Sequence, residues 1–168
     1  LSGSFDPLHA GHTGLLAAAQ GLTGRAGAFE LSVENVDKPE LTRAQVERRA
    51  AQFGGIGAVV CTRAPTFVAK ARLFGDCTFV VGYDTAVRLV EPRYYGGVRQ
   101  MERAFAQMAT AGTRFLVAGR LADEGYRSLD DLEVPPGLPV RLAPIPPTAF
   151  RLDISSTELR RRAGGPPG

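Results

Sequence analysis

Gly3-Ser4-Phe5-Asp6-Pro7-Leu8-His9-Ala10-Gly11-His12 opens the chain, holds both of its histidines and runs from a glycine turn into what reads as a helix. A glycine turn leading into a helix lets backbone N–H groups approach a phosphate closely, and the helix N-terminus favours negative charge there. Two imidazoles three residues apart near that terminus can both donate to phosphate oxygens. Gly11 between them leaves room for a flat base or a ribose. Taken alone, His9 and His12 read equally as a loop residue and a helix cap, and no cysteine neighbour or third histidine supports a metal site there.

Outward from this turn, helical and strand-like segments alternate with short connections, the pattern of a parallel sheet covered by helices. Residues 10–22 read as a helix rich in small side chains and Phe29 to Val36 as a strand. Thr42 with Gln45 makes a capping box that opens a helix to Phe53, which Gly54-Gly55 ends. Ile56 to Thr62 is an apolar run of strand length, Pro65 to Phe74 is helix-like, and Cys77 to Gly82 reads as a strand buried on both faces. Asp84 to Val90 and Val98 to Ala109 are expected helices, Thr113 to Ala118 a strand, Val140 to Ala143 a weaker strand, and Ser156 to Arg162 a final helix. The chain starts at Leu1-Ser2-Gly3, with no room for a strand ahead of the glycine turn, so the first strand of an open Rossmann-like α/β sheet with helices on both faces is expected to be truncated.

The 168 residues suit a single domain, with 120–147 an irregular surface excursion rich in Pro, Gly and acids, and 164–168 a tail. The formal charge is only +3, and Lys38 and Lys70 are the only lysines among 20 basic residues, so no basic stripe for nucleic acid is indicated. Cys61 and Cys77 lie in apolar runs and are expected as buried, reduced thiols, which points to a cytoplasmic setting. No apolar run approaches the ~20 residues needed to cross a bilayer, so no membrane partner is expected, and homo-oligomer formation stays open.

Near the other end, Ile154-Ser155-Ser156-Thr157-Glu158-Leu159-Arg160 reads first as plain structure: Ser155 and Glu158 form a capping box, and Arg160 to Arg162 compensate the helix C-terminus. Functionally, three hydroxyls and open N–H groups at a helix start form a second anion site, with Arg160 one turn in on the same side.

The first stretch closely resembles the His-x-Gly-His signature of the nucleotidyltransferase superfamily, which includes nicotinamide and nicotinate mononucleotide adenylyltransferases, pantetheine-phosphate adenylyltransferase and the cytidylyltransferases. The second resembles the Ile-Ser-Ser-Thr-x-x-Arg motif of the mononucleotide adenylyltransferases, and the two stand in the family's order. Gly82-Tyr83-Asp84 is similar to the Gly-x-Asp of the pyridine mononucleotide enzymes. Together with Asn35-Val36-Asp37-Lys38-Pro39 and Thr66-Phe67-Val68-Ala69-Lys70, the resemblance covers most of residues 1–162.

The resemblance implies transfer of AMP from ATP to a pyridine mononucleotide, nicotinamide or nicotinate, with release of pyrophosphate, as in NAD biosynthesis. It implies His9, His12 and Arg160 as catalytic residues. Gly3, Ser4, Phe5, Gly11, Gly119, Arg120, Ile154, Ser155, Ser156 and Thr157 are implied at ATP, Lys38, Gly82 and Asp84 at the acceptor, and Mg2+ as an ion that arrives with the triphosphate and needs no protein cage. From the residues alone, Asp84 is equally an N-cap and Lys38 equally a solvated turn lysine. The chain departs from the pyridine enzymes in having no Trp after Gly-x-Asp, Tyr94-Tyr95 lying further along. It departs from the cytidylyltransferases because Arg151-Leu152-Asp153-Ile154-Ser155 lacks their glycine, which favours ATP over CTP. Competing readings are transfer to another phosphorylated acceptor such as phosphopantetheine, and a nucleotide-binding domain without turnover. Class I aminoacyl-tRNA synthetase, dinucleotide-binding and Walker-type readings lack their signatures: there is no Lys-Met-Ser-Lys-Ser, Gly-x-Gly-x-x-Gly or Gly-x-x-x-x-Gly-Lys.

Overall fold

The computed structural model describes residues 1–122 and 125–151. They form two compact units, Leu1–Pro65 and Thr66–Arg151. Both are α/β with parallel strands, the architecture of Rossmann-like folds.

In the first unit the strand order is β1 (Ser2–Gly3), β2 (Phe29–Ser32), β3 (Val59–Thr62). A strand does precede the glycine turn. It is two residues long, in parallel register with Glu30 and Leu31, and Glu30 N–H donates to the Leu1 carbonyl at 2.8 Å. Helices α1 (Ala10–Thr23) and α2 (Arg43–Ala51) follow β1 and β2. Leu16 of α1, Phe29 and Leu31 of β2, and Phe53 just beyond α2 share one core with Phe5. The Thr42–Gln45 capping box forms in both directions, Gln45 N–H to Thr42 Oγ1 and Thr42 N–H to Gln45 Oε1.

Two boundaries and one burial differ from expectation. β2 ends at Ser32, not Val36, because the chain turns into a loop that the bond from Leu41 N–H to the Val33 carbonyl closes at 2.9 Å. β3 starts at Val59, not Ile56, because Ile56 N–H and Gly57 N–H return to the Phe53 carbonyl in the turn that ends α2. Cys61 is an exposed free thiol rather than a buried one, and Val60 beside it is exposed as well. Cys77 is not in a disulfide either and is half-buried.

In the second unit the order is β4 (Thr78–Gly82), β5 (Arg114–Ala118), β8 (Arg141–Ile145), all parallel. Phe79, Val80 and Val81 are all buried, so β4 is covered on both faces as its apolar run predicts. Phe79, Val81, Phe115 and Val117 meet Ala71 of α3 (Phe67–Phe74) and Met101, Phe105 and Met108 of α5 (Val98–Thr110). Helix α4 (Tyr83–Leu89) starts directly at the end of β4. The segment read as irregular carries an antiparallel hairpin, β6 (Arg120–Ala122) with β7 (Gly125–Arg127), then a short 3-10 turn at Leu129–Asp131. Among the described residues no helix is long and apolar enough to cross a membrane.

Candidate functional site

Both sheets present loops at the carboxyl ends of parallel strands, where open α/β folds bind ligands. In the first unit Gly3 and Leu31 are register partners, so the Ser4–His9 turn and the loop after β2 leave the same sheet edge.

His9 is the N-cap of α1, in extended conformation, and its Nδ1 accepts from Gly11 N–H at 3.1 Å. In return His9 N–H donates to Nδ1 of His12 at 3.3 Å, a capping box built from two imidazoles. With each Nδ1 accepting, a neutral ring carries its hydrogen on Nε2. The rings lie 3.8 Å apart, tilted 34°. Burial pushes the His12 pKa down from 6.5 to about 4, with repulsion from His9 adding to it, and burial lowers His9 as well. Near neutral pH the helix start thus presents two uncharged N–H donors.

Phe5 holds this pair from below. Its ring is buried, edge-on to His12 at 5.1 Å, Phe53 at 5.1 Å and Phe29 at 5.6 Å. Gly3 is glycine for a packing reason: a Cβ there would sit 3.0 Å from the Phe5 ring. Any approach of Phe5 to a nucleotide is consequently through its backbone.

Two residues that the sequence reading left out hold the turn from α2. Arg49, buried, donates from Nη1 to the Ser4 carbonyl at 3.0 Å and from Nη2 to the Asp6 carboxylate at 2.6 Å. Gln52, the C-cap of α2, donates from Nε2 to the Phe5 carbonyl at 2.9 Å and accepts Leu8 N–H on Oε1 at 2.8 Å. A signal existed: Val46, Arg49 and Phe53 fall at the three- and four-residue spacing of one helix face, and a guanidinium on an apolar stripe demands a partner.

Lys38 is exposed in the loop after β2, beyond an Asx turn in which Asp37 N–H donates to Asn35 Oδ1. Arg63 grips both bases of that loop, reaching Glu34 at 3.1 Å and Glu40 at 2.7 Å.

In the second unit, Gly82 and Ala118 are register partners at the ends of β4 and β5, so Asp84 and Arg120 emerge side by side. Arg120 Nη1 donates to the Asp84 carboxylate in an ion pair. Asp84 is not the N-cap of α4: Gly82 holds that position and no side chain caps it. Tyr83 Oη donates to the Asp131 carbonyl at 3.4 Å, tying α4 to the segment after the hairpin. Gly119 is fixed by packing, since a Cβ there would lie 2.4 Å from Tyr126 Oη and 2.6 Å from the Arg127 carbonyl.

The sequence-derived residues thus fall into two assembled groups: Gly3, Ser4, Phe5, His9, Gly11 and His12 in one turn, and Gly82, Asp84, Gly119 and Arg120 at one sheet edge. Ile154, Ser155, Ser156, Thr157 and Arg160 lie outside the described residues. Among the described residues no group of three or more His, Cys, Asp or Glu side chains could hold a metal. Compared with protein-family models and with curated proteins, the chain matches no family model and no curated protein.

Proposed function

We propose that this chain is a nucleotidyltransferase that moves AMP from ATP to a pyridine mononucleotide, NMN or NaMN, releasing pyrophosphate. The observation that carries the reading is the His9–His12 pair: two neutral imidazoles, each with Nδ1 committed to a backbone N–H, at the start of a helix that follows a glycine turn. Nucleotidyl transfer by in-line attack of the acceptor phosphate needs donors aimed at the α-phosphate and a leaving pyrophosphate held in place; it needs no covalent enzyme intermediate. Donors whose orientation is set before the ligand arrives meet that need without reorganisation during the reaction.

In this reading His9 and His12 donate to the α-phosphate as charge builds on it, and the backbone of Gly3–Phe5 and Gly11 passes close to the nucleotide. Arg160 with Ile154, Ser155, Ser156 and Thr157 holds the leaving pyrophosphate. Lys38, Gly82 and Asp84 meet the acceptor, and Arg120 acts through its ion pair with Asp84. Mg2+ would arrive on the triphosphate oxygens and neutralise part of their charge.

The test is pyrophosphate release from Mg-ATP by the full chain, with NMN, NaMN and phosphopantetheine offered separately. Release with a pyridine mononucleotide alone supports the reading. Release with phosphopantetheine alone replaces the acceptor, and ATP binding without release from any acceptor leaves a nucleotide-binding domain.

A further inference from the structure

Phe5 adopts φ +45°, and among the described residues every other positive φ belongs to a glycine. A bulky side chain in the left-handed region is strained and persists only where its surroundings over-determine it. Those surroundings come from α2. The peptide ahead of Phe5 is fixed by Arg49 on the Ser4 carbonyl, the peptide after it by Gln52 on the Phe5 carbonyl, and the rest of the loop by Arg49 on the Asp6 carboxylate and Gln52 on Leu8 N–H. Leu8 is the last residue before the His9 cap, so the four bonds span the whole distance from the glycine turn to the histidines. Arg49 also places a cation against Asp6, the one acid in the stretch from Gly3 to His12, which would otherwise oppose an anion there.

We propose that Arg49 and Gln52 are positioning residues of the histidine site: they hold the Ser4–Leu8 loop from α2, and so set how Phe5 packs against His12 and how the two imidazoles cap α1. Neither residue needs to touch a ligand. Loosening either should let Phe5 leave its strained conformation, admit water beside His12 and release the imidazole geometry while the helices stay folded. The link to turnover rests on the nucleotidyl-transfer reading; the link to the imidazoles does not.

The experiment is an NMR titration of the imidazole protons in the full chain, which has only two histidines. It compares the unaltered protein with Gln52→Leu, Gln52→Glu and Arg49→Lys, with melting and pyrophosphate release measured on the same samples. In Gln52→Leu the His12 midpoint should rise from about 4 toward its ordinary 6.5, and kcat should fall ~10-fold or more with a smaller change in the KM for ATP. Gln52→Glu keeps an acceptor for Leu8 N–H and loses the donor to the Phe5 and Arg49 carbonyls, so it carries the same comparison if Gln52→Leu does not fold. Arg49→Lys keeps a cation on Asp6 but gives up the fork that also reaches the Ser4 carbonyl, so its His12 midpoint should rise as well, by less than in Gln52→Leu. Folded Gln52 variants that melt earlier yet leave the His12 midpoint unchanged overturn the proposal, since that is the signature of a purely structural role. Absence of turnover in the unaltered chain would remove the functional reading and leave the imidazole titration to decide this one.

Discussion

The backbone N–H of His9 donates to the imidazole of His12, and the imidazole of His9 accepts from Gly11 one residue into the helix, so each histidine is oriented by the turn that the pair closes. Cap and donor are the same side chains. His12→Ala should therefore show two separable effects. Loss of half of the capping box costs about 1 kcal/mol of stability, whereas loss of a preorganised donor costs ~2–4 kcal/mol of transition-state stabilisation. Melting and pyrophosphate-release rates on one preparation resolve the two, and a rate that follows only the stability loss removes His12 from the chemistry.

The neutral imidazoles also set a pH dependence of stability. His12 titrates near 4 when folded and near 6.5 when unfolded, so between those values the unfolded chain binds the extra proton. Stability is then fully present above about pH 6.5, declines as pH falls toward 4, and gains no further penalty from this group below 4. After allowance for partial solvent screening the loss is about 2 kcal/mol, and His9, lowered in the same direction, adds to it. Denaturant midpoints from pH 7.5 to 4 check this: His12→Ala should flatten the profile, and an equally steep profile in that variant would assign the dependence to other groups.

Local chemistry was the legible part of this fold. The Thr42–Gln45 box and the buried strand from Thr78 announce themselves because capping residues and continuous apolar runs act within a few positions. What escaped depends on partners distant in sequence. Val59–Thr62 is an apolar run of strand length like β4, yet Val60 and Cys61 are exposed, because which strands are covered depends on packing partners distant in sequence, which composition does not encode. Within the stretch 120–147 read as irregular, β6 and β7 are three residues each, too short for alternation to show. At the site, the glycine turn running into a helix at the histidines was legible because it lies within one short stretch, whereas Arg49 and Gln52 act across more than forty residues of chain.

Asp84, expected at the acceptor, and Arg120, expected at ATP, form one ion pair. Their side chains are 57% and 47% exposed, so the pair is worth only ~0–1 kcal/mol to the fold. Asp84→Asn and Arg120→Ala should leave melting nearly unchanged while raising the KM for the acceptor. Because the two act as a unit, the double variant should lose little more than the worse single one. Fully additive losses would mean that each meets its ligand independently, and no loss in either would remove the pair from the acceptor site.

The family resemblance implies Gly82 at the acceptor and Gly119 at ATP, and the surroundings of the two glycines differ. At Gly82, φ is −80° and an added Cβ meets nothing within 4 Å, so Gly82→Ala should cost under ~1 kcal/mol, mainly through its N-cap position. At Gly119 the added methyl would collide with Tyr126 Oη and with the Arg127 carbonyl, forcing the β6–β7 hairpin off β5 at a cost of ~1–3 kcal/mol. That corresponds to a fall in Tm of roughly 2–4 °C per kcal/mol. Tyr126→Ala in the Gly119→Ala background should recover only part of the loss, because the Arg127 carbonyl is backbone and cannot be cut away. If Gly119→Ala melts with the unaltered protein, close packing is not why glycine stands there, and contact with the nucleotide regains its claim on that position. If it melts early while Gly82→Ala loses activity at full stability, then of the two glycines only Gly82 reports on ligand.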